Sequence, residues 1–366
     1  MKILVVQDFL RSGGTERQSV LLARGFASAG HPTTLLTFRP GGALALAAPE
    51  PNLTCLSLQR RDTRLDWWAP GIIRRAREHA PDVVLCMGRM ANCYGHSLQE
   101  ALPDSAVIST LRTGKPLPRL FRRSLHRTRH IVANSRAARN QIVTRESIAT
   151  DRISVIHNAL VFPESTASAG DRDLTRDRFG ATPASVVMLD VAMFRPEKNQ
   201  IALIEIASQL PSDVPWQLWL AGEGPALATC RDRAAALGLT ARIHFPGWQA
   251  DPTPLYLAAD LAVHASRRES LSNFLIEAQA HGLPAVAYDA LGVSETFIPD
   301  QTGLVIPTDD AASFRSALLS LISDPSRRAA MSAQARAHAT ENFSTAKQIE
   351  KYLELFSTLQ NSSPSL

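Results

Sequence analysis

The chain has 366 residues, 45% of them apolar and 20% charged, a soluble balance and enough length for two α/β domains of ordinary size. No stretch approaches the roughly 18 apolar residues that cross a bilayer. The MKILVV start is too short for a secretory leader and lacks a small-residue cleavage site, so a cytoplasmic protein is expected. Net charge is +5, yet residues 1–170 hold 23 Lys/Arg against 12 Asp/Glu and the remainder 16 against 22. A basic half beside an acidic one points to a negatively charged partner for the first. The four cysteines, Cys55, Cys86, Cys93 and Cys230, are too scattered for a disulfide framework and read as reduced thiols. Cys86, Cys93 and His96 match no zinc spacing, and no metal site is expected.

In chain order, short β-type runs fall at 2–7, 33–38, 53–58, 82–86, 106–110, 130–133 and 153–156. Amphipathic helical patterns at 15–29, 66–79, 91–102, 117–129 and 135–147 lie between them. The alternation restarts with strands near 185–191, 215–221, 241–246, 260–264, 284–288 and 303–306. Continuous apolar strands separated by helices predict buried parallel sheets covered on both faces. The fold class is therefore α/β, with two Rossmann-like doubly wound domains. Residues 160–177 are polar and aperiodic and read as connecting chain. The expected division is 1–165, a linker at 166–177, 178–344, a C-terminal helix at 345–359 that returns to the first domain, and a tail at 360–366. Asp171-Arg172-Asp173 imitates a metal-binding D-x-D but lies in the polar linker, and is set aside. Ligands of such sheets bind outside the carboxyl ends of the strands, so two facing domains would hold theirs in a cleft.

Residues 266–288, SRRESLSNFLIEAQAHGLPAVAY, are the richest in chemistry. Glu269 falls in a loop after a strand, and Ser272 or Asn273 is a natural N-cap for the next helix. The backbone amides of Ser272, Asn273, Phe274 and Leu275 would then suit a phosphate. Glu277, about one turn on, could accept hydrogen bonds from vicinal ribose hydroxyls. An isolated pair of glutamates would more simply be solvated.

The segment E-S-L-S-N-F-L-I-E-A resembles the E-x7-E motif of the large family four of retaining GT-B glycosyltransferases, with Ser270 where glycine is common. Further motifs follow in the same order along nearly the whole chain. These are Gly13-Gly14-Thr15-Glu16-Arg17, Asn134-Ser135, Ile156-His157-Asn158-Ala159, Ala221-Gly222-Glu223-Gly224-Pro225, Phe245-Pro246-Gly247, Gly292-Val293-Ser294-Glu295 and Thr302-Gly303-Leu304. The resemblance implies transfer of a sugar from a nucleotide diphosphate-sugar to a hydroxyl acceptor with retention, no metal and no cofactor, the nucleotide sugar being a substrate. It implies the GT-B fold, with the acceptor on the N-terminal domain and the donor on the C-terminal one.

Within VAMFRPEKN (191–199), Lys198 matches the family lysine that neutralises the donor diphosphate, while Met193 stands where the family arginine is usual. Arg195 is the candidate substitute. Lys198, Arg195 and Glu269 are thus the expected catalytic residues, since fixed cations stabilise a departing diphosphate. Gly13, Gly14, Gly222, Ser272, Asn273, Phe274, Leu275 and Glu277 are expected at the donor. Gly13 and Gly14 let backbone approach closely but lack the lysine of a P-loop. On the acceptor side the family histidine is replaced at about Arg112, so Arg112 and Lys115 are the candidates and no general base is assigned.

Residues 105–145 contain ten Arg/Lys and no Asp or Glu. Leu117, Leu120, Phe121 and Leu125 are expected on one helical face, with arginines over the others. Such a segment, 112–129, could lie on an anionic membrane surface or receive a lipid-linked or glycan acceptor; alternatively its apolar face packs inward and its arginines are solvated. No nucleic-acid motif or aromatic stacking platform accompanies it, and no nucleic acid is expected. Bacterial surface polysaccharide, lipopolysaccharide or glycolipid assembly is the setting the resemblance implies. The rival readings are a sugar-nucleotide epimerase of the same fold and a non-catalytic nucleotide-sugar or polyphosphate binder.

Overall fold

The computed structural model describes residues 1–46, 48–112, 114, 116–160 and 169–361. They form two compact units, Met1–Ala159 with Thr345–Leu366, and Leu160–Ser344. The first unit is built on a seven-stranded sheet of β1 (Ile3–Gln7), β2 (Thr33–Thr37), β3 (Leu53–Ser57), β4 (Val83–Cys86), β5 (Ala106–Leu111), β6 (His130–Ala133) and β7 (Ile153–Val155). Their order is β3-β2-β1-β4-β5-β6-β7. Every pairing is parallel, with Ile3 of β1 opposite Thr33 on one side and Val83 on the other. Central strands such as β1 are buried throughout, which is why their sequences are unbroken apolar runs.

Two expected helices differ. The pattern at 66–79 becomes a helix only at Ile72, after Gly71 in a left-handed conformation; residues 59–68 instead wrap around the buried Gln59 side chain, which donates to the Leu65 and Trp68 carbonyls. The pattern at 91–102 divides into helices Arg89–Cys93 and Gly95–Ala101. In the basic segment, helix Arg119–Arg127 buries Phe121, Ser124 and Leu125. Leu120, expected on the same face, is exposed beside Arg119, Arg122 and Arg123. Lys115 lies outside the described residues.

Helix Thr345–Asn361 belongs to the first unit. Ile349, Tyr352 and Phe356 form an apolar stripe at helical spacing that meets Phe26, the two aromatic ring centroids lying 5.9 and 5.4 Å from it. A Cβ on Gly25 would stand 2.3 Å from the Ile349 Cδ1, so the approach of this helix depends on glycine there.

The second unit has β8 (Val186–Val191), β9 (Trp216–Ala221), β10 (Ile243–Gly247), β11 (Leu261–His264), β12 (Ala285–Tyr288) and β13 (Gly303–Ile306), in the order β10-β9-β8-β11-β12-β13 and again parallel. The expectation of a linker through residue 177 is corrected. Residues 161–168 lie outside the described set, but Ala169–Arg178 is a helix of this unit. Arg172 and the buried Arg176 both pair with Asp260, at 2.6 and 3.1 Å, and Asp260 also accepts from the Val187 amide at 2.8 Å. Those ion pairs hold a helix whose composition reads as polar linker. Asp171 and Asp173 lie on it.

Among the described residues no helix is long and apolar enough to cross a membrane. Two Rossmann-like parallel-sheet units in succession are the GT-B architecture.

Candidate functional site

In the second unit the strand order reverses between β8 and β11, the topological switch point where open α/β sheets bind ligands. The loops leaving those two strands are tied together: the Arg267 amide donates to the Glu197 carbonyl at 2.9 Å, and the Ser266 hydroxyl to the same oxygen at 3.2 Å. Four ionisable side chains meet there. His264, ending β11, bonds the Asp190 Oδ1 of β8 through Nδ1 at 2.9 Å and the Glu269 Oε1 through Nε2 at 2.8 Å. Lys198 donates to that same Oε1.

Asp190 and His264 are fully buried and Glu269 nearly so. Burial alone would push Glu269 up; the Lys198 ammonium and the His264 hydrogen bond outweigh it and bring the carboxyl down to about 2. Burial likewise opposes charge on His264, but its two acidic partners raise its pKa above 6.5. The result is a chain of alternating charge, Asp190–His264–Glu269–Lys198, of which Lys198 is the member open toward solvent. Lys198, expected to face phosphate, and Glu269, expected to face sugar, are here each other's partners.

Arg195 precedes the short 3-10 turn Pro196–Lys198, and among the described residues its guanidinium has no ion pair. Met193 is exposed in the same loop. Helix Asn273–Ala280 starts on Ser272, whose hydroxyl accepts from the Leu275 amide at 3.4 Å. That cap occupies one of the amides expected at a phosphate. The Phe274 and Leu275 side chains pack in the core. Glu277 accepts from the Tyr256 hydroxyl at 2.6 Å, and Tyr256 is itself stacked on His281, with centroids 4.6 Å apart.

Gly222 supports the site from behind. Its φ is +137°, and a Cβ there would lie 2.1 Å from the Ala192 carbonyl oxygen; Gly224 meets Phe194 in the same way. The Phe194 amide donates to the Glu223 carbonyl at 2.9 Å, completing the seat for the loop that carries Lys198. Gly222→Ala is expected to cost about 2–3 kcal/mol through overlap and backbone strain, lowering the melting temperature by roughly 5–10 °C in a thermal unfolding scan. An unchanged melting temperature would count against this seating.

The other candidates belong to the first unit. Gly13 is the N-cap of helix Gly14–Ser28 and Gly14 its first residue. A Cβ on Gly13 would touch the Glu16 carboxylate at 2.5 Å, so Glu16 folds back over this helix start. Arg112 donates to Asn158 and, at 2.7 Å, to the Tyr352 hydroxyl, bracing β5 against helix Thr345–Asn361. Asn134-Ser135 is a helix cap, the Ser135 hydroxyl accepting from Ala138 at 3.0 Å. His96 faces the hydroxyls of Ser124 and Ser97. Burial pushes the Cys86 thiol up to about 12 and Cys93 up to about 11.

Sequence reasoning missed Asp190, His264 and Tyr256. The available signal was an Asp and a His interrupting the apolar runs MLDV and LAVH near the carboxyl ends of their strands, where a buried charge needs a partner. It also missed Asp8, after β1. Asp8 accepts from the Met90 and Ala91 amides at 2.9 and 2.6 Å, and burial pushes it up to about 7 against their pull.

The two parallel-sheet units define the GT-B class of fold, and comparison with known proteins agrees. A family model described as glycosyl transferases group 1 matches residues 171–338, and one described as glycosyltransferase family 4 matches 12–160. The chain belongs to glycosyltransferase family 4. It is 30% identical over 178 residues to the lipopolysaccharide core biosynthesis glycosyltransferase LpsE of Rhizobium meliloti, covering 48% of this chain and 52% of that one. It is 31% identical over 236 residues to a D-inositol 3-phosphate glycosyltransferase of Rhodococcus opacus, covering 62% and 52%. The chain thus spans about half the length of the curated relatives it matches. Among solved structures, Anabaena HepE in complex with UDP superposes with a TM-score of 0.83 at 20% identity, over 98% of this chain and 100% of that one.

Proposed function

We propose that this protein is a retaining glycosyltransferase that moves a sugar from a nucleotide diphosphate-sugar to a hydroxyl acceptor without a metal ion. The observation that carries the reading is the charged chain Asp190–His264–Glu269–Lys198 at the switch point of the second unit. Family membership supports it, as does the solved UDP complex of HepE.

Lys198 and Arg195 supply the positive charge that meets the diphosphate, aided by the Asn273 and Phe274 amides at the start of their helix. Lys198 and His264 both meet Glu269 at Oε1, so recognition of donor hydroxyls goes to Oε2. Glu277, oriented by Tyr256, takes the ribose hydroxyls. As the bond from the sugar to the diphosphate oxygen breaks, the new bond forms on the same face, and the acceptor hydroxyl proton passes to the departing phosphate oxygen. No separate base is then required.

The acceptor belongs to the first unit, whose excess of positive charge suits a lipid-linked or anionic glycan acceptor. The exposed Leu120 with Arg119, Arg122 and Arg123 is the surface on which an anionic membrane would lie. Relatives named for lipopolysaccharide core and inositol phosphate glycosylation support surface-glycan or glycolipid assembly as the setting.

The test is incubation with a panel of nucleotide sugars, with and without lipid extract, following nucleoside diphosphate release and product by mass spectrometry. Transfer with retained anomeric configuration in the presence of EDTA is expected. Tight nucleotide binding with neither transfer nor hydrolysis would sink the enzyme reading in favour of a binding protein. In calorimetry, Glu277→Ala is expected to weaken donor binding about tenfold or more, the cost of lost hydrogen bonds to a charged group; unchanged affinity would remove Glu277 from the ribose.

A further inference from the structure

The loop 59–68 presents an unusual surface. Trp67 is 59% exposed, Trp68 41% and Leu65 39%, in a unit whose other large apolar side chains are mostly buried. Two adjacent exposed indoles are costly to leave in water and mark a binding surface when their backbone is fixed.

The backbone here is fixed. Beyond its two carbonyl contacts, the Gln59 side chain accepts from the Thr63 hydroxyl at 2.7 Å. Arg39, buried, pairs with Asp62 at 2.7 Å and Asp66 at 2.6 Å and lies 3.9 Å over the Phe9 ring. Arg11 pairs with Asp66 at 2.6 Å. The Trp67 carbonyl accepts from the Tyr94 hydroxyl at 2.7 Å.

Those anchors also say where the loop lies. It leaves the edge strand β3, yet its partners are Arg39, which follows β2, Arg11, which follows β1, and Tyr94, which comes after β4. The strand order of the first unit reverses between β1 and β4, so the loop reaches the switch point of that sheet, where a ligand is expected. Asp62 and Asp66 are neutralised by Arg39 and Arg11. Arg60, Arg61 and Arg64 are exposed and have no ion pair among the described residues.

We infer that Trp67 and Trp68 form a stacking platform for a sugar ring of an anionic acceptor glycan, with Arg60, Arg61 and Arg64 meeting its phosphate or carboxylate groups. The aliphatic C–H face of a pyranose is complementary to the electron-rich face of an indole. Exposed guanidiniums on the same loop select for acidic substituents, because they bind carboxylate or phosphate through paired N–H donors. Position at the sheet's switch point, within a braced loop, favours a glycan over a lipid surface. The assignment rests on the glycosyltransferase reading for the word acceptor, and its test does not.

The experiment is glycan binding by the full chain without donor, followed by calorimetry and tryptophan fluorescence. The probes are trigalacturonate, a phosphorylated oligomannose, neutral maltopentaose and anionic phosphatidylglycerol vesicles. The first two separate carboxylate from phosphate as the acidic group. At least one acidic glycan is expected to bind more tightly than maltopentaose, with a fluorescence change. Trp67→Ala/Trp68→Ala should lose at least tenfold in affinity at unchanged melting temperature, and Trp67→Phe/Trp68→Phe should retain part of it. Arg60→Ala/Arg61→Ala/Arg64→Ala should abolish the preference for acidic glycans. The platform is overturned by binding of no glycan at millimolar concentration, or by glycan affinity indifferent to the tryptophans. Vesicle binding that alone depends on them overturns it too, in favour of a membrane anchor. Nucleotide-sugar binding, measured in parallel, reports on the second unit: its loss with glycan binding intact would refute the transferase and leave the platform standing.

Discussion

Lys198→Ala is expected to lower turnover by about two to three orders of magnitude, the usual cost of removing one preorganised charge from a developing anion. The reason is double. On the proposed mechanism the ammonium meets the departing diphosphate, and it is also the group that holds Glu269 ionised at the edge of the core. Removing it strips charge from the leaving group and lets burial push Glu269 back up. Lys198→Arg keeps the charge but changes its reach, since a planar fork cannot repeat the contact of an ammonium on one oxygen, so it should recover only part of the activity. Steady-state kinetics on the donor decide the matter. A fall in kcat with little change in KM assigns Lys198 to the transition state, whereas a rise in KM alone would reduce it to uniform ground-state binding. Wild-type turnover in Lys198→Ala would remove the cluster from the reaction.

Fold and site differed in how much of each could be read in advance. The strands were legible because buried parallel strands are unbroken apolar runs bounded by turns, as in ILVVQ and VVMLDV. Helix Ala169–Arg178 was not, because its stability comes from Arg172 and Arg176 reaching Asp260, more than eighty residues away. The start of the pattern at 66–79 misled because Trp67, Trp68, Ile72 and Ile73 mimic helical spacing, while Gln59 and Arg39 impose a loop through tertiary contacts. Glu269, Glu277 and Lys198 stood out through their motif. That Lys198 and Glu269 touch is a property of two loops meeting at a strand-order reversal, and Arg112 meets Tyr352 only because the C-terminal helix returns to the first unit. Local pattern records which segments are buried; it does not record which buried charges find each other.

His264→Leu tests the least legible member of the cluster. Asp190 is fully buried, its Oδ2 has no hydrogen-bond partner among the described residues, and its Oδ1 rests on His264. A leucine leaves that carboxyl alone in the core and takes from Glu269 one of its two donors. Breaking a buried charged pair by removing one partner costs about 3–5 kcal/mol, which for a unit of this size lowers the melting temperature by roughly 10 °C. The pH dependence identifies the cause. The folded-state pKa of His264 lies above 6.5, so its contribution to stability is whole below 6.5 and disappears as pH rises through the raised value. Glu269 runs the other way: its folded pKa of about 2 against 4.5 gives stability that is present above 4.5 and lost as pH falls toward 2. The gap in melting temperature between wild type and His264→Leu should therefore narrow on the alkaline side. A gap that stays constant from pH 6 to pH 10 would mean that leucine fails through shape alone and that the imidazole carries no proton-linked role. His264→Asn, able to bond Asp190 but too short to reach Glu269 as well, should recover stability ahead of activity, separating the support of the core from the poise of the glutamate.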